Sequence, residues 1–220
     1  MTETSVLSRK TGITLMGGGE IDTQDVYQAL EFAPHLVAAD GGANKAMALD
    51  LMPEAVIGDL DSLSAQARNR IAPDSIHHVA EQDSVDFEKA LRLTCAPFYL
   101  GLGFTGRRVD HTLAALSVLV RFPERPILLL DASDIIFSAP PEMRLDLPVG
   151  MRLSLYPLGP CDGSSTGLQY PLDGVRLDPV GMIGTSNKVT GPVTLKMTGP
   201  CLVILPKAAL RIVLHGLGLR

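Results

Sequence analysis

Short apolar runs, each ended by glycine or a polar residue, alternate with longer stretches of helical period through the first 130 residues of the chain. The first run, Gly12-Ile13-Thr14-Leu15-Met16, stops at Gly17-Gly18-Gly19 and is followed by a periodic stretch from Asp22 to Phe32, an order that predicts strand, glycine turn and helix. The pattern recurs. Leu36 to Ala39 leads to a helix from Ala43 to Leu51, Ala55-Val56-Ile57 to one from Ser64 to Ile71, and Ser75 to Val79 to one from Val85 to Thr94. Phe98-Tyr99-Leu100 leads to a helix from Val109 to Phe122, and Ile127 to Leu130 supplies a last buried strand. Continuously apolar strands that alternate with helices predict a parallel sheet covered on both faces, a Rossmann-like α/β domain over residues 12–138.

Beyond Ser138 prolines and glycines become frequent, and the apolar stretches are short and lack a long helical period. Arg152 to Tyr156, Met182 to Ser186, Val193 to Met197, Leu202 to Leu205 and Arg211 to Leu214 are the expected strands of an antiparallel β-sandwich domain over residues 142–220. Ala139-Pro140-Pro141 is the expected joint. No fixed-period repeat and no low-complexity segment interrupts either half.

Composition narrows the functional classes. With 46% hydrophobic and 20% charged residues the 220-residue chain has the balance of a globular protein with a real core. A net charge of −5, with Arg107-Arg108 the longest basic cluster, argues against nucleic acid and for a small phosphate-bearing partner. No stretch approaches the roughly 20 apolar residues needed to cross a bilayer. Cys95, Cys161 and Cys201 are scattered singly, as expected of reduced thiols in the cytoplasm.

The candidate chemistry lies in four acidic clusters: Asp40-Gly41-Gly42-Ala43-Asn44, Gly58-Asp59-Leu60-Asp61-Ser62, Gln82-Asp83-Ser84-Val85-Asp86 and Arg107-Arg108-Val109-Asp110-His111. Ligands of open parallel sheets bind beyond the carboxyl ends of the strands, and each cluster follows a predicted strand. Asp59 and Asp61 are two apart, so an extended backbone points their side chains the same way, an arrangement suited to a divalent cation that shares its remaining ligands with phosphate. Asp86 opens a helix with Lys89 one turn on, which places an acid for metal and a base for phosphate on one face. Asp110 and His111 open another helix, whose N-terminus favours anions, and Arg108 brings a planar fork for phosphate oxygens. Taken singly, these motifs are also what turns, helix caps and exposed ion pairs look like; four of them on one sheet edge are not.

Two other phosphate motifs bear on the reading. Gly101-Leu102-Gly103-Phe104-Thr105-Gly106 has dinucleotide-fingerprint spacing after a strand, and Asp131 stands where the ribose-binding acid of such a unit belongs. It does not follow the first strand, and Arg107 and Arg108 crowd the helix start, so a nicotinamide dehydrogenase ranks low. No Walker phosphate loop is present.

The ordered set Asp40-Gly-Gly-Ala-Asn44, Gly58-Asp-Leu-Asp-Ser62, Asp83-x-x-Asp86-Phe-x-Lys89-Ala90 and Gly103-x-x-Gly106-x-Arg108-x-Asp110-His111, with Gly184-Thr-Ser-Asn187 later, resembles the thiamine pyrophosphokinase family across residues 12 to 206. The resemblance implies Mg²⁺-dependent transfer of a pyrophosphoryl group from ATP to the hydroxyl of thiamine, giving thiamine diphosphate and AMP in a homodimer. It implies a catalytic set of Asp40, Asp59, Asp61, Asp86, Arg108 and Asp110, of which Asp59, Asp61 and Asp86 hold the metal with Asp40 nearby. Asn44, Gln82, Lys89, Arg108 and His111 are implied for the nucleotide, and Thr185, Ser186 and Asn187 for the thiamine or adenylate side. The chain departs from the family pattern at Arg107, where a second glycine is common, at Val85, where threonine is, and in having no Trp to stack on thiamine. The competing readings are a pyrophosphokinase of the same fold acting on another alcohol such as a pterin, and a non-catalytic thiamine- or nucleotide-binding module.

Overall fold

The computed structural model, which describes residues 5–219, turns the apolar runs of the first half into strands that end at polar loops. The chain divides into two units, Met1–Val118 with Leu129–Ala132, and Leu119–Leu128 with Ser133–Arg220. In the first, β1 (Leu7–Ser8), β2 (Ile13–Met16), α1 (Thr23–Phe32), β3 (His35–Ala39), α2 (Gly42–Ala48), β4 (Ala55–Gly58) and α3 (Ala65–Arg70) are followed by β5 (Ile76–His78), α4 (Asp86–Arg92), β6 (Thr94–Cys95) and β7 (Tyr99–Leu102). The helix α5 (Val109–Arg121) and the strand β8 (Ile127–Leu130) come next, and the division between the units falls inside both.

The strands β7, β2, β3, β4 and β5 lie side by side in that order and all run parallel, with Ile13 opposite both Tyr99 and His35, Val37 opposite Ala55 and Val56 opposite Ile76. In β7, β2, β3 and β4 the residues are nearly all buried, which is why these segments are largely apolar, whereas none of Ile76, His77 and His78 in β5 is buried. Because the strands run parallel, the loops after β2, β3, β4, β5 and β7 emerge at one edge. β1 pairs with β6 in a separate two-stranded ribbon that the polar N-terminal sequence does not announce.

Two helices fix the loops at that edge. α2 and α3 pack over β3 and β4 through Ala38, Ala43, Met47, Val56, Leu63 and Ala67. α3 begins at Ser64, whose hydroxyl accepts from the Ala67 N–H at 3.1 Å. This cap leaves Asp61 and Ser62, which precede it, out of the helix. α2 starts at Gly42, where a Cβ would lie 1.9 Å from the carbonyl oxygen of Met16 at the end of β2. Only glycine lets the helix approach the strand end so closely.

The second unit is antiparallel throughout: β9 (Asp134–Ser138), β10 (Glu142–Leu145), β11 (Arg152–Pro157), β12 (Cys161–Leu168), β13 (Arg176–Leu177), β14 (Gly184–Thr198) and β15 (Cys201–Pro206). The joint expected at Ala139-Pro140-Pro141 is the turn from β9 to β10, inside this unit. Two expected strands, Met182 to Ser186 and Val193 to Met197, are largely one 15-residue strand. Its first part pairs with β11 and its second with β12 and β10, and the register slips opposite Gly191-Pro192, the pair that reads as a break in the sequence. β12 escapes the hydrophobic pattern because Ser, Thr and Gly fill it, although Cys161, Ser165 and Leu168 are buried. The expected strand Arg211 to Leu214 is instead helix α6 (Leu210–Gly216), which buries Leu210, Val213 and Leu214 at helical spacing. A run so short carries no period of its own, and helix and strand cannot be separated on it.

Gly42→Ala is expected to destabilise the chain by about 3 kcal/mol, since the clash is with backbone that no rotamer change relieves. A urea melt that matches the native chain would show the approach of α2 to β2 to be adjustable.

Candidate active site

Asp40 follows β3 directly, in the left-handed region at φ 41°. Its N–H donates to the Ile57 carbonyl at 3.0 Å and its own carbonyl accepts from Ala43 N–H at 3.0 Å, so the backbone is held from both sides. The side chain is 6% exposed, and its Oδ1 is buried with no hydrogen-bond partner among the described residues. Burial pushes its pKa above the ordinary 3.8, and the charges of Asp86 and Asp61 add to the shift.

The loop after β4 brings two more carboxylates to the same place, by a different geometry from the extended one expected. Leu60 is left-handed at φ 63°, and the Asp61 N–H donates to Asp59 Oδ1 at 3.3 Å, so Asp59-Leu60-Asp61 is a tight turn. The convergence therefore comes from the turn and not from strand alternation. Oxygens of Asp40, Asp59 and Asp61 lie within 4.8 Å of one another. Ser62 Oγ donates to Asp61 Oδ1 at 2.8 Å, and Gln82 Nε2 donates to Asp59 Oδ2 at 3.2 Å. The Gln82 bond is the main reason that the Asp59 pKa falls below its ordinary value.

Asp86 stands beside this triplet and outside it. A Cβ on Gly58 would come within 2.9 Å of Asp40 Cβ and 3.1 Å of Asp86 Oδ1, so Gly58 is the spacer on which both acids pack. Asp86 Oδ1 accepts from Lys89 Nζ at 3.1 Å, and Lys89 is only 3% exposed. Val85 is the N-cap of α4 and offers no side-chain acceptor, the cost of departing from threonine at that position.

Arg108 and Asp110 meet at the start of α5, where Nε and Nη2 of Arg108 donate to the two carboxylate oxygens at 3.2 and 2.5 Å. The guanidinium fork holds the Asp110 pKa down at about 2. Both side chains are about two-thirds exposed, so the pair can be exchanged for a phosphate oxygen at little cost. Arg107 is left-handed at φ 22°, exposed, and 3.8 Å from Glu20.

Apart from Asp110, which does not line it, these groups line one cleft of about 1090 Å³ in the first unit, together with Gly17-Gly18-Gly19, Asn44, Gln82, Lys89 and His111. Asn44 acts on the protein itself: Nδ2 donates to the Ser62 carbonyl at 2.7 Å and Oδ1 accepts from Ser64 N–H at 3.0 Å, which braces the acidic turn. Lys45, Phe104 and Thr105 also line the cleft. Sequence reasoning passed over them, although they sit inside or next to motifs already singled out. Phe104 packs on Phe87 with ring centroids 4.3 Å apart.

Thr185, Ser186 and Asn187 lie on β14 of the second unit. Thr185 and Ser186 are exposed, and Ser186 is left-handed at φ 61° with its N–H donating to Ser154 Oγ at 3.0 Å. Asn187 is buried, with Nδ2 donating to the Tyr170 carbonyl at 2.7 Å and Oδ1 accepting from Tyr170 N–H at 3.0 Å. Its amide thus clamps the backbone of an exposed tyrosine.

A carboxylate triplet with an unpartnered buried oxygen is a donor set for a hard divalent cation such as Mg²⁺, and the neighbouring Lys89 and Arg108 suit phosphate. The family model for the thiamin pyrophosphokinase catalytic domain matches residues 26–129, and the model for that enzyme's vitamin B1 binding domain matches 142–202. Thiamin pyrophosphokinase 1 of Caenorhabditis elegans is 30% identical over 178 residues, 72% of either chain. The chain belongs to the thiamin pyrophosphokinase family. As expected of a thiamin pyrophosphokinase family member, its mixed α/β fold is shared with the solved thiamin pyrophosphokinases of Geobacillus thermodenitrificans, at a TM-score of 0.74 and 23% identity over 89% of this chain and 97% of that one, and of Candida albicans, at 0.76 and 17% over 90% and 89%.

The raised pKa of Asp40 sets a pH dependence whose sign is definite. Between 3.8 and the raised value the folded chain holds a proton that the unfolded chain has released, so rising pH costs stability across that window. In chelator, denaturant melts of the native chain should weaken as pH rises above 3.8, and Asp40→Asn should remove that part of the slope. An identical slope in the variant would place the ionised Asp40 in a neutral setting.

Proposed function

We propose that the chain transfers the pyrophosphoryl group of ATP to the hydroxyl of thiamine in the cleft of the first unit, releasing AMP. The observation that carries this reading is the meeting of Asp40, Asp59 and Asp61 at the carboxyl edge of the parallel sheet, in a chain of this family. We assign the Rossmann-like nucleotide domain to the first unit and the thiamine-binding β-sandwich to the second, an assignment supported by the two family matches.

Asp59 and Asp61, with Asp40 and the adjacent Asp86, are the residues that would hold Mg²⁺. Bound there, the ion neutralises charge on the phosphate oxygens. Lys89 and Arg108 address the phosphates, with Lys89 fixed against Asp86 and Arg108 aimed by Asp110. Gln82 fixes Asp59, and Asn44 serves the nucleotide by bracing the turn that carries Asp59 and Asp61. His111, in the first turn of α5, adds a donor at a helix N-terminus. The thiamine hydroxyl forms a new bond to the β-phosphorus, the bond from that phosphorus to the α-phosphate oxygen breaks, and AMP leaves with that oxygen. The hydroxyl proton goes to Asp40 or Asp110. Alignment of the two substrates supplies several kcal/mol of the barrier reduction.

Thr185 and Ser186 meet the thiamine, and Asn187 holds their surroundings through Tyr170. We place the enzyme in the cytoplasm as a homodimer. Free cysteines at 95, 161 and 201 suit a reducing compartment, and the exposed Val109 and Leu113 of α5 offer a face to a second copy. Among the described residues no helix is long and apolar enough to cross a membrane.

The test is AMP formation from ATP and Mg²⁺ with and without thiamine, with mass spectrometry of the product. AMP together with thiamine heavier by two phosphoryl groups is expected, and Asp61→Asn should abolish it in a chain whose metal-free melting temperature is no lower than the native one. Full turnover in that variant would remove Asp61 from the metal site, and thiamine-independent behaviour would point to another alcohol.

A further inference from the structure

Ser154 is a polar side chain in a setting that favours an apolar one, and no step of the proposed reaction uses it. It sits in β11, the strand between β14 and β15, and is 4% exposed, with the fully buried Leu153 and Leu155 on either side. A hydroxyl at such a depth costs free energy unless it is hydrogen-bonded. Its partner belongs to the backbone of the thiamine side: the Ser186 N–H donates to Ser154 Oγ at 3.0 Å.

That N–H takes a side-chain partner because the strand pairing is irregular there. Leu153 faces Asn187 and Leu155 faces Gly184, so Ser154 alone stands opposite both Thr185 and Ser186. This is a β-bulge on β14, with Ser186 as its left-handed residue at φ 61°, a conformation that a residue other than glycine adopts at a cost. In a regular strand with one buried face, successive side chains alternate between core and solvent. Across the bulge they do not: Thr185 and Ser186 are both exposed before Asn187 turns inward. The bulge thus sets two neighbouring hydroxyls on the surface, where one small polar ligand can engage both. Behind Ser154, Arg152 Nη1 comes within 3.5 Å of Oγ, and Nη2 of the same guanidinium donates to Asp134 Oδ1 at the start of β9.

We propose that Ser154 is a positioning residue for thiamine: its hydroxyl oxygen holds the bulge that presents Thr185 and Ser186, and the Arg152–Asp134 pair holds Ser154. The assignment rests on the reading of Thr185 and Ser186 as the residues that meet thiamine. Ser154, buried beneath the bulge, acts through the Ser186 backbone.

Calorimetric binding of thiamine and, separately, of AMP tests it without turnover, in a pair of variants matched in shape. Ser154→Thr keeps the oxygen and Ser154→Val puts a methyl group in its place, so any overpacking is common to both. The Ser154→Thr chain should hold thiamine about as the native chain does, and the Ser154→Val chain about fivefold or more weakly, the worth of one hydrogen bond. Both should bind AMP as the native chain does, which a general loss of structure would not allow. Amide hydrogen exchange at Ser186 should be faster in Ser154→Val than in Ser154→Thr. Two variants that bind thiamine alike overturn the proposal, and so does a Ser154→Val chain that loses AMP in the same proportion. If a chain carrying Thr185→Ala and Ser186→Ala then binds thiamine weakly, the reading on which the proposal rests still stands. If that double variant binds thiamine as the native chain does, the reading itself falls and the proposal with it.

Discussion

Carboxylate oxygens held within 4.8 Å of one another repel, and the first unit is built so that Asp40, Asp59 and Asp61 cannot move apart. At an effective dielectric constant of about 20 two unit charges about 4.8 Å apart repel by roughly 3 to 4 kcal/mol, and solvent at the exposed Asp61 screens its share well below that. Against a domain stability of roughly 5 to 15 kcal/mol this is a large cost to maintain. The left-handed backbone at Asp40 and Leu60, the Asn44 brace and the bare Gly58 between Asp40 and Asp86 all hold the acids together. A fold that accepts such strain and repulsion at one edge is matched to a cation and to the phosphates that accompany it.

The positive groups nearby are arranged to be partly engaged. Lys89 is buried against Asp86, and Arg108 is exposed against Asp110, so one cation is fixed and the other can change partners. In the second unit the strategy differs. Asn187 is buried with both its amide oxygen and its amide nitrogen engaged by backbone, and its contribution is to shape the Tyr170 backbone beside Thr185 and Ser186.

The parallel sheet was legible because burial on both faces leaves room for few polar residues in β2, β3, β4 and β7, and the helices between them keep a clear period. The acidic motifs were legible because they follow those strands. What the sequence hid has physical causes as well. The approach of Asp59 to Asp61 depends on one left-handed leucine, which no side-chain pattern announces. β12 escapes notice because Ser, Thr and Gly fill it and only Cys161, Ser165 and Leu168 are buried, and α6 is too short to express a period. Asn44 and Asn187 could be marked as important from sequence, but their role as braces is visible only through their partners.

The central claim is that the triplet is a cation site whose repulsion the ion relieves. Thermal melting of the native chain across a series of Mg²⁺ concentrations, without nucleotide, tests it most directly. The account predicts that the melting temperature climbs with Mg²⁺ and levels off, while an Asp40→Asn chain, which lacks the carboxylate whose ionisation burial and its acidic neighbours oppose, starts higher without metal and climbs less. A native chain whose melting temperature ignores Mg²⁺, with Asp40→Asn less stable than native in its absence, would contradict it.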